Sequence, residues 1–178
     1  MSFSMHAIRP ALTAAILFAS AAPCAADPAP RIHYAPAENL EKIDVALIDG
    51  ARREIDLAAY VLTDWPVILA LTRAANRGVK LRLYLDGAQL ANRPPRDVFQ
   101  DLAATPTVQI RIKPLNKRPM HLKSYQIDRR LLRTGAANLS ASGLKQQDND
   151  LIVIKGLEAS MNFKRHFEAI WAKGEAWK

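Results

Sequence analysis

The chain has 178 residues, 49% hydrophobic and 24% charged. That fits one globular domain and excludes a multidomain machine, a collagenous repeat or a disordered chain. A single cysteine, Cys24, excludes an intramolecular disulfide and a cysteine-built zinc site, and the formal net charge of +8 points to polyanionic partners.

Residues 1–26 read as a targeting segment. They contain no acid, carry Arg9 ahead of the apolar run Ala11 to Ala22, and end in the small residues Cys24 and Ala26, the pattern of a secretory signal cut after Ala26. Pro10 and Pro23 hold the run below the ~20 apolar residues that a membrane-spanning helix needs. A periplasmic or secreted protein without stable membrane insertion is expected; an uncleaved amphipathic anchor is the alternative. Residues 27–178 then form one domain.

Within it, Glu38 to Ala51 predicts a helix with Leu40, Ile43, Leu47 and Ile48 on one side. Glu54 to Leu62 reads as a buried strand, Trp65 to Arg77 as a helix stopped by Gly78, and Lys80 to Asp86 as an alternating strand. A loop at 92–95 precedes a short helix, Asp97 to Ala103, and a strand, Val108 to Ile112. His121 to Asp128 and Leu131 to Gly135 predict a tight hairpin, Leu151 to Lys155 another strand, and Leu157 to Lys173 a closing helix with Phe163, Phe167 and Trp171 inward. This alternation predicts an α/β domain, a mixed sheet flanked by helices on both faces.

Charge is concentrated between Gln109 and Arg133, where eight basic residues meet one acid, Asp128. The same stretch holds His121-Leu-Lys123. Residues two apart on a strand share a face, so an imidazole and an ammonium meet at one spot. If Arg129 and Arg130 form the hairpin tip, Asp128 pairs with Leu131, and Asn138 falls opposite His121. Lys123 and the Asn138 amide would hold phosphate oxygens while His121 supplies a nucleophile or proton carrier.

The pattern His121-x-Lys123-x4-Asp128, followed by Gly135-Ala-Ala-Asn138, resembles the signature of the phospholipase D superfamily, and in particular its small secreted bacterial endonucleases with one motif copy per chain. Ala75 to Asp86 is similar to the family's helix-to-strand passage. The resemblance implies a phospholipase D-like fold, His121 as nucleophile, Lys123 and Asn138 as phosphate ligands, and Asp128 as support for the motif. Two departures stand out. Ala136 occupies a position that is usually Ser; Ser140 is a candidate replacement hydroxyl, and equally a helix cap. A carboxylate usually follows the Asn to orient the imidazole; Asp148 and Asp150 are the candidates, and equally solvated residues ahead of a strand.

No metal or other cofactor is expected, because His33, His121 and His166 lack ligand spacing and an Asp-Asn-Asp run is weak evidence for a cation. The family chemistry needs two histidines and this chain has one motif, which implies a two-fold homodimer sharing its site. Nucleic acid, DNA or RNA, is the expected substrate, with Lys117, Arg118, Arg129 and Arg130 tracking its backbone and Trp65 or Tyr125 as candidate stacking aromatics. The alternatives are a phospholipid- or cardiolipin-hydrolysing phosphodiesterase and, given Ala136, a noncatalytic nucleic-acid-binding module.

Overall fold

A computed structural model of the chain describes residues 1, 27–92, 97–115 and 117–177. Apart from Met1, the expected signal segment lies outside the described residues, as do residues 93–95 of the expected loop.

Eight strands form one mixed sheet: β1 (Arg31–Ala35), β2 (Glu54–Ala59), β3 (Lys80–Asp86), β4 (Val108–Lys113), β5 (Lys123–Ile127), β6 (Leu131–Thr134), β7 (Asn149–Lys155) and β8 (Glu175–Ala176). Their order is β1-β7-β6-β5-β2-β3-β4-β8. Neighbouring strands pair in parallel at β2–β3 and β3–β4, and the other neighbours in this order pair antiparallel. The helices are α1 (Leu40–Asp49), α2 (Trp65–Asn76), α3 (Gly87–Asn92), α4 (Asp97–Ala104), α5 (Ala141–Lys145) and α6 (Leu157–Trp171).

The helices begin where the sequence supplies caps. Asn39 accepts the N–H of Lys42 at the start of α1, and Asp64 that of Val67 at the start of α2, where Pro66 lies in the first turn. Gly78, at φ +89°, follows α2 in the left-handed region that glycine adopts freely. On one sheet face, Leu40 and Ile48 of α1 and Val67, Leu71 and Ala74 of α2 pack with Leu57, Leu83 and Leu151. On the other, Phe163, Phe167 and Trp171 of α6 cover Ala58 and Tyr84. Helices therefore flank both faces, as the alternation predicts. Truncating a wholly buried leucine such as Leu57 or Leu83 to Ala would cost about 2–5 kcal/mol.

Four elements fall outside the sequence reading. β1 lies among Pro28, Pro30 and Pro36, and only its partner β7 makes it a strand. α3 follows β3 directly at Gly87, with no intervening loop, its start capped by Asp86 Oδ1 accepting the Gln89 N–H. α5 contains Gly143 and has five residues, too short for periodicity. β8 is two residues paired with β4.

The hairpin register differs by one residue from the sequence expectation. Ile127, not Asp128, pairs with Leu131, so the loop is Asp128-Arg129-Arg130. Asp128 and Arg129 adopt φ +54° and +57°. Asp tolerates this region, and the Asp128 side chain compensates for the absent glycine by accepting three backbone N–H groups, from Arg52 at 3.0 Å, Arg53 at 2.8 Å and Glu54 at 3.0 Å.

Candidate active site

At the opposite end of β5, Lys123 is 7% exposed and its ammonium turns back on His121. Its Nζ donates to the His121 carbonyl oxygen at 2.9 Å and lies 3.0 Å from the imidazole Nδ1 and 3.3 Å from Nε2. Burial lowers the Lys123 pKa from the ordinary lysine value. His121 itself is exposed. The imidazole and ammonium meet at one spot, as the two-residue spacing implies.

Tyr60, just past β2, backs this pair. Its ring centroid is 4.5 Å from that of His121, and Lys123 Nζ stands 5.2 Å over the same ring. Its hydroxyl accepts Gln89 Nε2 at 2.8 Å, and Asp86 Oδ2 accepts the N–H of Met120, the residue before His121, at 2.8 Å. Tyr60, Gln89 and Asp86 are thus site-building residues that motif reading missed. The available signal was positional: Tyr60 and Asp86 lie at the carboxyl ends of parallel strands, where α/β sheets place their sites.

Asn138 reaches this end by a route the hairpin does not give. β6 stops at Thr134, and Gly135, at φ +132°, turns the chain away. A Cβ on Gly135 would lie 2.6 Å from the Asp150 carbonyl oxygen. The chain then crosses to β2: Leu139 bridges Leu62, and its carbonyl accepts the N–H groups of Thr63 and Asp64. Two residues upstream, the Tyr60 N–H donates to Leu122. One segment, Tyr60 to Asp64, therefore holds both His121-Leu122 and Asn138-Leu139. Asn138 Oδ1 is buried with no hydrogen-bond partner among the described residues.

The other expected site residues fall elsewhere. Asp128, expected to support the motif at the site, is the hairpin-loop acceptor at the far end of β5. Arg129 and Arg130 share that end, and Arg129 Nε donates to Glu54 at 3.0 Å. The basic stretch is not one face either, because strand alternation and pairing divert its members. Arg133 is wholly buried against Asp44, and Arg111 Nη1 donates to the Trp171 carbonyl at 2.8 Å. Lys117 and Arg118, both exposed, remain on the segment entering the site. Of the candidate stacking aromatics, Tyr125 is fully buried and Trp65 is 48% exposed.

Ser140 caps α5 by accepting the Gly143 N–H at 3.2 Å. Asp150 Oδ1 accepts the Ala136 N–H at 2.7 Å, so it holds the Asn138 loop. Asp148 is exposed. Lys123 is the only side chain hydrogen-bonded to the His121 ring among the described residues. No group of three or more His, Cys, Asp or Glu that could hold a metal ion occurs among the described residues, and no described helix is long and apolar enough to cross a membrane.

Residues 45–171 match the family model described as "Cardiolipin synthase, PLD-like domain". A protein named "Phospholipase D" from Rickettsia felis is 28% identical over 136 residues, covering 75% of this chain and 65% of the relative. The chain thus spans less than two thirds of that relative's length. Among solved structures, Nuc from Salmonella typhimurium, a phospholipase D family member, superposes with a TM-score of 0.74 at 21% identity, covering 84% of this chain and 98% of that one. NucT from Helicobacter pylori gives 0.73 at 18% identity, covering 84% and 99%.

Proposed function

The chain belongs to the PLD-like domain family, and from that premise we propose that it is an exported, metal-independent endonuclease that cleaves phosphodiesters of nucleic acid through a phosphohistidine. The observation carrying the reading is the contact of a buried lysine ammonium with both ring nitrogens of an exposed histidine, Lys123 on His121. An ammonium so placed binds a non-bridging phosphate oxygen while the imidazole reaches phosphorus. We assign the Asn138 amide as a second donor, a reading supported by the Leu139–Leu62 bridge that ties its segment to the same strand end. The exposed Lys117 and Arg118 favour a polyanionic substrate, and the acid-free N-terminal segment supports export.

In the first step one ring nitrogen of His121 bonds to phosphorus and the bond from phosphorus to the leaving oxygen breaks. That oxygen takes its proton from a second imidazole, which we assign to the partner subunit's His121 in a two-fold dimer. In the second step the same imidazole removes a proton from water, the water oxygen bonds to phosphorus, and the phosphorus–nitrogen bond breaks to free His121.

Incubating the dialysed protein with DNA in excess EDTA tests the chemistry. Cleavage by wild type and at least tenfold less by His121→Ala is the expected result; activity lost in EDTA and restored by Mg²⁺ would overturn it. Phospholipid vesicles serve as the competing substrate, since the Rickettsia relative is named for lipid. Vesicle hydrolysis without DNA cleavage would move the reading to lipid. Mixing wild type with excess His121→Ala under subunit exchange should suppress activity below simple dilution, and activity proportional to the wild-type fraction would overturn the shared site.

A further inference from the structure

We propose that the buried Asp44–Arg133 pair is a positioning unit of this site, fixing Lys123 and Asn138 relative to each other. The inference rests on the phosphodiesterase reading above. Both side chains are wholly buried, and the guanidinium meets the carboxylate as a fork, Nε to Oδ1 and Nη2 to Oδ2, each at 2.9 Å. The Tyr125 hydroxyl donates to Oδ1 at 2.7 Å. The remaining nitrogen, Nη1, donates to the carbonyl of Lys123 at 2.7 Å and to that of Ala137, the residue before Asn138, at 3.3 Å. One nitrogen therefore bonds both segments that carry the phosphate ligands.

The topology explains why a side chain is needed there. The β5–β6 pairing ends before Lys123, because Gly135 turns the chain off the ladder. The Lys123 carbonyl has no opposing N–H on β6, and the Ala137 carbonyl lies in irregular backbone. Buried carbonyls without donors destabilise the fold. Arg133, opposite Tyr125 in the ladder, reaches both. Stability alone does not demand an ion pair here, since well-packed apolar residues of similar volume are commonly as stable as a buried pair. What apolar residues cannot do is hold two backbone segments at a fixed separation.

That difference supplies the test. Removing one partner strands a buried charge and threatens folding, so the informative variant replaces the whole network: Asp44→Leu, Tyr125→Phe and Arg133→Met together. A second variant, Arg133→Lys, keeps the charge on Asp44 but loses the planar fork. Thermal unfolding reports stability, bis(p-nitrophenyl) phosphate hydrolysis gives kcat and KM, and inorganic phosphate gives a competitive inhibition constant. For whichever variant folds, as a cooperative thermal transition reports, the expected result is a lower melting temperature than wild type together with, in the fully folded protein, kcat at least tenfold lower and weaker phosphate inhibition. A folded variant with wild-type kcat and phosphate inhibition would show the pair to be only structural and overturn the proposal. If neither variant folds, the pair serves stability, which also overturns it. An inactive wild type would instead sink the phosphodiesterase reading itself.

Discussion

The backbone N–H of Glu54 donates to Oδ1 of Asp128 at 3.0 Å, so the last residue of the H-x-K-x4-D pattern ties the hairpin loop to the start of β2, at the far end of the strand from His121. From this position we infer that Asp128 anchors the loop rather than taking part in the chemistry. Asp128→Ala removes the acceptor of three N–H groups and puts a β-carbon at positive φ without a local bond. A loss of about 2–3 kcal/mol is expected, with kcat of the folded protein within about threefold of wild type. Urea unfolding and kinetics on the same preparation check it. A hundredfold loss of kcat at unchanged stability would return Asp128 to the chemistry.

The meeting of His121 and Lys123 is legible in the sequence because it depends only on local spacing. Asn138 is legible as a residue type, but its path is not. The register that places it opposite His121 needs a two-residue tip, whereas Asp128 and Arg129 sit in the left-handed region and shift the ladder by one. Asn138 still arrives, because Leu139 bridges Leu62, a contact between segments far apart in sequence that no local pattern encodes. Arg133 was hidden for the opposite reason: in a basic stretch it counts as surface charge, and only Asp44, on α1, reveals it as core.

Tyr60 offers a test of the site's wall. Tyr60→Phe keeps the ring beside His121 and loses the Gln89 bond, whereas Tyr60→Ala removes the surface on which both imidazole and ammonium rest. Steady-state kinetics should show a loss within about threefold for Phe and about 5–30-fold for Ala, the size of a partly desolvated cation–π contact plus positioning. Equal losses for the two variants would assign the effect to the hydroxyl instead.

Salt dependence separates the basic residues near the site from those diverted elsewhere. Lys117→Ala and Arg118→Ala should each weaken DNA binding across sequences and flatten the slope of log affinity against log salt by about one. Arg129→Gly should leave that slope unchanged, because its guanidinium is held by Glu54 at the far end of β5. Fluorescence anisotropy at several salt concentrations measures all three. A slope altered most by Arg129→Gly would place the nucleic-acid path on the hairpin side.

Asp64 couples pH to stability beside the strap that carries Asn138. Burial pushes its carboxyl up to about 6, with the nearby Glu41 carboxylate acting in the same direction, against the lowering effect of the Val67 N–H bond; Oδ2 is buried without a partner among the described residues. The folded state therefore holds this proton more tightly than the unfolded chain, whose ordinary value is 3.8. The stabilisation from the proton is complete below that value and is lost as pH rises through about 6. Asp64→Asn keeps an oxygen for the helix cap and cannot ionise. Its stability relative to wild type should rise between pH 4 and pH 7 by on the order of 1–2 kcal/mol, about 2–8 °C in Tm. Taking the difference between the two proteins cancels the titration of the other carboxylates. A difference that stays flat across this range would mean that Asp64 ionises as an ordinary exposed aspartate and that its burial is relieved in solution.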